Sequence, residues 1–145
     1  MNEEIIKSAK IAFSTEYAFY LKAAFFHWNV EGSNFVQYHE LFGKIYEEVY
    51  GSIDTFAENI RKLGGYTPGS FTRFSALSEI DDEISVQPAE AMIKELMRDS
   101  DITITVLKRV YDLAEQSSEH GFSNFLAERM DAHRKHSWML RATLK

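Results

Sequence analysis

Apolar residues recur every three or four positions along most of the chain, which is the spacing of one face of an α-helix. The first such stripe runs over residues 5–27. Asn2 is placed to cap this helix, with Glu3 and Glu4 in a first turn where the helix dipole favours anions. Gly32 is placed to end it. The pattern therefore predicts a long first helix that starts almost at the first residue, with no tail before it.

Three further stripes predict three more helices, over 35–63, 88–117 and 122–143. The Gly-Gly pair at 64–65 is expected to end the second helix, Pro88 suits the first turn of the third, and Gly121 separates the third from the fourth. Residues 64–87 form a long connection, and its middle, 70–80, predicts a short helix of its own.

The lengths of these helices and loops indicate the fold class. Four helices of roughly 22–30 residues, with a long connection only in the middle, predict an all-α, ferritin-like four-helix bundle with a short extra helix in the crossover. The long connection lets the second and third helices run in the same direction. At 145 residues, we expect a single domain over 1–145.

The composition narrows the classes of function. The chain is 45% hydrophobic and 26% charged, and its net charge of −6 opposes non-specific binding to nucleic acid. It has no cysteine, which excludes disulfides and thiolate metal sites. No apolar run approaches the ~18–20 residues of a membrane span. The acidic N-terminus lacks the layout of a signal peptide. We therefore expect a cytoplasmic protein without a membrane partner.

Two histidines flank the predicted turn between the first two helices. His27 lies about four residues before the turn and His39 about five after it, so antiparallel helices place them at nearly the same level. Two imidazoles at one level suit a transition metal. Either histidine alone is more often a packed or capping residue, so the pair carries the signal.

A pair of carboxylates lies further along the second helix. Asp54 and Glu58 are four residues apart and project from one face, where the ordinary interpretation is a solvated surface. His39 and Asp54 are roughly 22 Å apart on one helix, so they cannot share an ion within one chain. A second copy running antiparallel across a two-fold axis would bring the histidines of one subunit to the carboxylates of the other.

The common di-iron arrangement inside one bundle is not indicated. Such sites use a Glu three residues before a His on two helices. The residues three before the histidines are Ala24, Val36, Ser117, Met130 and His133. The remaining pair, His133 and His136 with Asp131 nearby, lies in a run of mixed charge. We expect these residues to make surface or interface salt bridges.

The stretch HWNVEGSNFVQYHELFGKIYEEVYGSIDTFAENI, residues 27–60, resembles the Dps family, the mini-ferritins that protect DNA and cells during starvation and oxidative stress. The shared pattern is a His-Trp pair, a second His, an Asp and a Glu at matching spacings. In this chain these residues are His27, Trp28, His39, Asp54 and Glu58. The resemblance covers the whole chain, including the short crossover helix and the WMLR at 138–141.

The resemblance implies a hollow dodecamer with ferroxidase sites at its two-fold interfaces. His27, His39, Asp54 and Glu58 would bind Fe(II), which hydrogen peroxide oxidises in preference to dioxygen, and the ferric product would be stored as mineral inside. Zinc would compete for such mixed nitrogen and oxygen ligands. Trp28 matches a family tryptophan near the site, which implies an electron donor that quenches stray radicals. The other interpretation of Trp28 is core packing.

Several features qualify the resemblance. Many members carry an acidic residue where this chain has Gly43, so a second iron would bind weakly or use water or Glu47. Members that bind DNA often use a basic tail, which this sequence lacks, so direct DNA binding is doubtful. The family's iron-entry pores at the three-fold axes have acidic linings. Their candidates here are Glu115, Glu119 and His120, which otherwise form an ordinary solvated turn.

Two alternative functions are also compatible with the sequence. One is a non-enzymatic assembly that binds and compacts DNA. The other is a structural shell whose metal site is vestigial, for which Gly43 is the warning sign.

Overall fold

Five α-helices follow one another in the computed structural model, which describes residues 3–145. They span Glu3–Asn29 (α1), Phe35–Lys62 (α2), Phe71–Leu77 (α3), Ala89–Gln116 (α4) and His120–Thr143 (α5). The four long helices form the bundle, and α3 is the short helix of the crossover. The predicted all-α class and the predicted crossover helix are confirmed.

The helix boundaries lie close to the predicted ones. The predicted N-cap Asn2 falls outside the described residues. Gly32 in the α1–α2 turn and Gly64 after α2 both take positive φ, at 122° and 96°, the conformation in which glycine is favoured. Pro88 is the N-cap of α4 rather than a residue of its first turn. Since proline has no N–H to donate, either position suits it.

The turn between α4 and α5 differs from the prediction. Gly121 does not separate the two helices, because it lies inside the first turn of α5. The break is made by Ser118, whose φ is 59°. The N–H groups of Ser118 and Glu119 donate to the carbonyls of Glu115 and Ala114, at 3.2 and 2.8 Å, and so close the end of α4. A non-glycine residue seldom takes this conformation, which is why the sequence pointed to the glycine instead.

The apolar core is divided into two clusters at opposite ends of the bundle. The first joins the start of α1 and α5 to the ends of α2 and α4, and includes Ile5, Phe13, Phe56, Ile60, Leu107, Val110 and Leu126. The second joins the opposite ends of the same helices, and includes Phe19, Phe26, Phe42, Ile45, Met92, Leu96 and Leu140. Buried polar residues of α1 and α5 lie between the two clusters.

Contacts of α1 with α2, α3 and α4 make it the central element of the fold. A buried ion pair joins α1 to α4, where Lys22 Nζ lies 2.7 Å from Asp99 Oδ2 and 2.9 Å from Glu95 Oε2. Loss of Lys22 would leave the fully buried Asp99 carboxylate with only Arg98, at 3.4 Å, which is strongly destabilising. Within residues 3–145, no helix has both the length and the apolar composition that crossing a bilayer requires.

Candidate metal centre

His27 and His39 meet face to face beside the α1–α2 turn. Their ring centroids are 3.8 Å apart, with 14° between the ring planes. Nδ1 of His27 lies 2.6 Å from the backbone oxygen of His39, and Nδ1 of His39 lies 2.7 Å from the backbone oxygen of His27. The sequence predicted two imidazoles at one level, and this placement is confirmed.

These reciprocal hydrogen bonds fix the tautomer of both rings. A carbonyl oxygen only accepts, so each Nδ1 carries a proton and donates it. The neutral ring then has its lone pair on Nε2, the atom that can bind a metal. Metal-binding histidines commonly donate their other ring N–H to a carbonyl in this way. The pair therefore offers two nitrogen ligands whose orientation is set by the protein itself.

Gly43 lies on α2 one turn after His39, and it is buried against His27. A Cβ at this position would be 2.9 Å from both Cε1 and Nδ1 of the His27 ring. Since Cβ atoms essentially never approach that closely, any other residue would displace the ring. The absence of a side chain therefore lets His27 dock on α2, and the docked ring leaves no room there for a carboxylate.

Aromatic side chains surround the histidine pair. Phe35 stacks on His39 with centroids 5.0 Å apart, and the Tyr46 ring lies 5.2 Å from that of His27. Both histidines are half-buried. Apolar neighbours lower the local dielectric, so a charged ligand at this point would interact more strongly with a bound cation than it would in water.

Asp54 and Glu58 occupy one exposed face of α2, as their spacing predicted. Neither makes a hydrogen bond or ion pair with any described residue. A helix rises about 1.5 Å per residue, which leaves Asp54 roughly 22 Å from His39. Within residues 3–145, no three His, Asp or Glu side chains lie close enough together to hold a metal ion. One subunit thus joins the two histidines but separates them from the two carboxylates.

Two neighbours of the candidate ligands point away from the core of the subunit. Trp28 is 61% exposed, so it does not pack in that core. It lines a groove between α1 and α3 together with Leu21, Phe25 and Phe71. Glu47 is exposed on α2.

The candidate pore residues lie at the α4–α5 turn. His120 Nδ1 is 3.2 Å from Glu115 Oε2, and both side chains are exposed. Glu119 is the N-cap residue of α5, and its side chain makes no capping hydrogen bond. One subunit therefore pairs two of the three residues, and their place in a pore stays a prediction.

Comparisons with known proteins agree with this fold. A family model described as a ferritin-like domain matches residues 11–145. DNA protection during starvation protein 2 of Bacillus anthracis is 30% identical over 144 residues, which cover 99% of each chain. The chain belongs to the Dps family of ferritin-like proteins.

Solved Dps structures superpose closely on this Dps-family chain. A Dps protein from Bacillus brevis has a TM-score of 0.94 and 27% identity, covering 99% of this chain and 97% of its own. Dps from Vibrio cholerae O1, described as a member of a broad superfamily of ferritin-like diiron-carboxylate proteins, has a TM-score of 0.94. It is 23% identical and covers 99% of this chain and 91% of its own, a likeness that concerns the fold alone.

This Dps-family chain also carries a charged layer between the two core clusters, which reaches from the buried Glu16 to Glu48, whose side chain is 41% exposed. The Arg129 guanidinium donates from Nε to Glu16 at 2.8 Å, and also to the carboxylate of Glu48. His133 Nε2 contacts the other oxygen of Glu16. His136 Nε2 lies 3.2 Å from Glu48. We call Glu16, Glu48, Arg129, His133 and His136 the polar layer; it links α1, α2 and α5.

The polar layer corrects one prediction. His133 and His136 were expected in surface or interface salt bridges, but His133 is fully buried and His136 is 3% exposed. The pair of His133 with Glu16 lies inside the bundle, whereas His136 pairs with Glu48 at the edge of the bundle. Asp131, predicted to join them, points outward and is exposed. The run of mixed charge was misleading because it lies on two faces of α5. Arg129, His133 and His136 face inward; the charged residues that face solvent are Glu128, Asp131, Arg134 and Lys135.

The electrostatics of the polar layer favour charged carboxylates. Burial alone would raise the pKa of Glu16, but His133 and Arg129 together lower this pKa to about 2. Burial opposes ionisation of Glu48 as well, yet hydrogen bonds from His136 and Arg129 lower its pKa to about 2. Burial lowers the pKa of His136. Both carboxylates are therefore ionised and held by cationic or hydrogen-bonding groups of the protein itself.

Sequence periodicity held a signal for this layer. Glu16 falls between Phe13 and Phe19 on the buried stripe of α1. On α5, Leu126, Arg129, His133, His136 and Leu140 follow one another at spacings of three or four and are all buried. A charged residue inside an apolar stripe needs a buried partner, and here two helices supply that partner to each other.

Proposed function

We propose that this protein is a ferroxidase and iron-storage mini-ferritin. Fe(II) binds at sites shared by two subunits, is oxidised by hydrogen peroxide in preference to dioxygen, and is kept as ferric mineral inside a hollow dodecamer. The observation that carries this proposal is the reciprocal hydrogen bonding of His27 and His39, which leaves both Nε2 atoms ready to bind metal.

The rest of the site comes from a second copy of the chain. A two-fold axis that runs the two α2 helices antiparallel brings His27 and His39 of one subunit to Asp54 and Glu58 of the partner subunit, twice per dimer. The exposure of Asp54 and Glu58, and their lack of partners within the subunit, support this arrangement. Carboxylate oxygens beside imidazole nitrogens suit iron, and the same ligand set would accept zinc as a competitor.

The reaction takes one electron from each Fe(II): 2 Fe²⁺ + H₂O₂ + 2 H⁺ → 2 Fe³⁺ + 2 H₂O. The negative carboxylates stabilise the ferric product more than the ferrous substrate, because the product carries the higher charge. Consumption of Fe(II) and peroxide together prevents them from generating hydroxyl radicals. Trp28, exposed beside the site, is placed to donate an electron to stray oxidants.

Further residues have secondary places in this proposal. A second iron would bind more weakly, because position 43 is a glycine and supplies no carboxylate. Glu47 or water is the candidate ligand for this second iron. Glu115, Glu119 and His120 are the candidates for an iron-entry pore. A net charge of −6 per chain attracts Fe(II) and repels nucleic acid, so direct DNA binding is not part of the proposal.

The test is oxidation of Fe(II) by the purified assembly. Anaerobic Fe(II) is added, then hydrogen peroxide, and ferric absorbance is followed against buffer without protein. We expect fast oxidation and a soluble, protein-bound ferric product. The variant Asp54→Asn/Glu58→Gln should lose this acceleration, and Glu128→Gln/Asp131→Asn, an exposed acidic pair on α5, should keep it. Wild-type oxidation at the buffer rate, with precipitating iron, would favour a shell with a vestigial site.

A further inference from the structure

Four tyrosines from α1 and α2 form a connected group of rings beside the metal centre. Tyr20 is its hub, with ring centroids 5.4 Å from Tyr17, 6.0 Å from Tyr46 and 4.9 Å from Tyr50. We call these four residues the tyrosine cluster. Its α1 members and its α2 members interlock across the helix pair that also presents His27 and His39.

The tyrosine cluster touches the metal centre at one end. The ring of Tyr46 lies 5.2 Å from that of His27. A continuous path of neighbouring rings therefore runs from His27 through Tyr46 to Tyr20. It continues to Tyr50, which is 57% exposed. At the other branch Tyr17 stacks on Phe74 of α3 with centroids 4.4 Å apart.

The ring contacts do not by themselves distinguish a phenol from a phenyl ring at these positions. None of the four hydroxyls donates or accepts a hydrogen bond with a described residue, so phenylalanine would pack in the same way. Burial, with the neighbouring phenols, raises the pKa of Tyr20 and keeps it protonated. A phenol, unlike a phenyl ring, can also lose an electron and a proton at modest potential.

The metal centre has a use for such a donor. Hydrogen peroxide takes up two electrons on reduction to water, and one Fe(II) supplies one. Within residues 3–145 no carboxylate joins His27 and His39 as a third ligand, and the docked His27 ring excludes a side chain at position 43. A site with one carboxylate fewer holds its second iron weakly, so at low Fe(II) the second electron must come from elsewhere.

We propose that the tyrosine cluster is that second electron donor, a relay from Tyr46 and Tyr20 to the exposed Tyr50. The step balances as Fe²⁺ + H₂O₂ + TyrOH → Fe³⁺ + TyrO• + H₂O + OH⁻. The iron and one phenol are each oxidised by one electron, the O–O bond breaks, and the phenol proton ends in water. Since the rings lie in contact, the oxidised site moves away from the iron by short steps. The inference rests on the proposed ferroxidase function.

The test stops the reaction at an early time by rapid freezing and detects the radicals that have formed. Wild-type assembly receives one Fe(II) per subunit and an equal amount of peroxide, and electron paramagnetic resonance is recorded. We expect a tyrosyl signal that narrows when the protein is made with ring-deuterated tyrosine. The number of Fe(II) ions oxidised per hydrogen peroxide consumed should be one. The variant Tyr20→Phe/Tyr46→Phe should lose the signal and move this ratio towards two. The control Tyr111→Phe, a half-buried tyrosine of α4 outside the cluster, should behave as wild type.

The outcomes separate the two proposals. Ferric product without a tyrosyl signal, a tryptophanyl signal from Trp28 in its place, or a tyrosyl signal that persists in the double variant would each overturn the relay while leaving the ferroxidase standing. No acceleration of iron oxidation by the wild type would overturn both. Since the substituted hydroxyls make no hydrogen bonds, thermal unfolding of the double variant should match the wild type and exclude misfolding as the cause.

Discussion

His27, His39 and Gly43 act as one unit at the residue scale. The two rings hold each other through backbone carbonyls, and the ring of His27 occupies the space that a side chain at position 43 would need. The family pattern alone presents Gly43 as a lost ligand. In the structure it is instead the residue that allows His27 to dock on α2, which links the departure from the pattern to the geometry of the site.

Substitution Gly43→Ala tests this unit. The new Cβ would displace the His27 ring, so we expect weaker Fe(II) binding and a loss of ferroxidase rate of about tenfold or more, equivalent to about 1.4 kcal/mol. The matched control is Gly51→Ala, also on α2, where an added Cβ meets nothing within 4 Å. Alanine there should raise the free energy of unfolding by roughly 0.5–1 kcal/mol and leave activity intact. Equal activity in both variants would contradict the docking argument.

At the scale of elements, the polar layer ties α1, α2 and α5 together through charge. Glu16 on α1 and Glu48 on α2 share the guanidinium of Arg129 on α5, with His133 and His136 as additional partners. Glu16, Arg129, His133 and His136 are buried, while the Glu48 side chain is 41% exposed, so the ionised Glu16 carboxylate depends most on its partners inside the bundle. The contribution of the polar layer therefore depends on the protonation of its carboxylates.

Acid should weaken the bundle through Glu16. Its folded pKa of about 2 lies below the ordinary value of 4.5, so its stabilisation is fully present above pH 4.5 and is lost as pH falls towards 2. The shift corresponds to about 3 kcal/mol, of which about 2 should be gone at pH 3. Denaturant unfolding at pH 7 and pH 3 measures this loss, and Glu16→Gln should show a shallower dependence.

Glu128→Gln, at an exposed position beside Arg129, is the matched control and should keep the wild-type pH dependence. An unchanged slope in Glu16→Gln would show that Glu16 does not carry the acid sensitivity.

Prediction from sequence succeeded for elements with a clear period. The four long helices and the crossover helix follow from apolar spacing and from glycines such as Gly32 and Gly64, whose positive φ matches their role as helix stops. The predicted position of the break between α4 and α5 was wrong, because Ser118 takes a conformation that sequence rules assign to glycine. The prediction for His133 was wrong because it followed the charged neighbours, which suggested a surface position. Periodicity was the better guide, since the stripe that His133 shares with Leu126 and Leu140 runs through the core.

At the scale of the whole molecule, the proposed active site does not exist in one chain. The histidine end and the carboxylate end of α2 are roughly 22 Å apart by helical rise, and the described residues bring no third ligand to either end. Sequence spacing was enough to predict the separation. It could not show the orientation of the imidazoles, because that depends on backbone carbonyls of the opposite helix. The proposed iron oxidation therefore depends on association of two subunits.

Complementation between two inactive variants tests the shared site most directly. One variant carries His27→Ala/His39→Ala and the other Asp54→Asn/Glu58→Gln; each alone should oxidise Fe(II) at the buffer rate. After the two are dissociated, mixed and reassembled, each mixed dimer should contain one intact site and one doubly defective site. Half of the sites in mixed dimers should therefore regain peroxide-driven oxidation. If mixed dimers form, as mass spectrometry can verify, and no activity returns, the sites are not shared between subunits and the account is wrong.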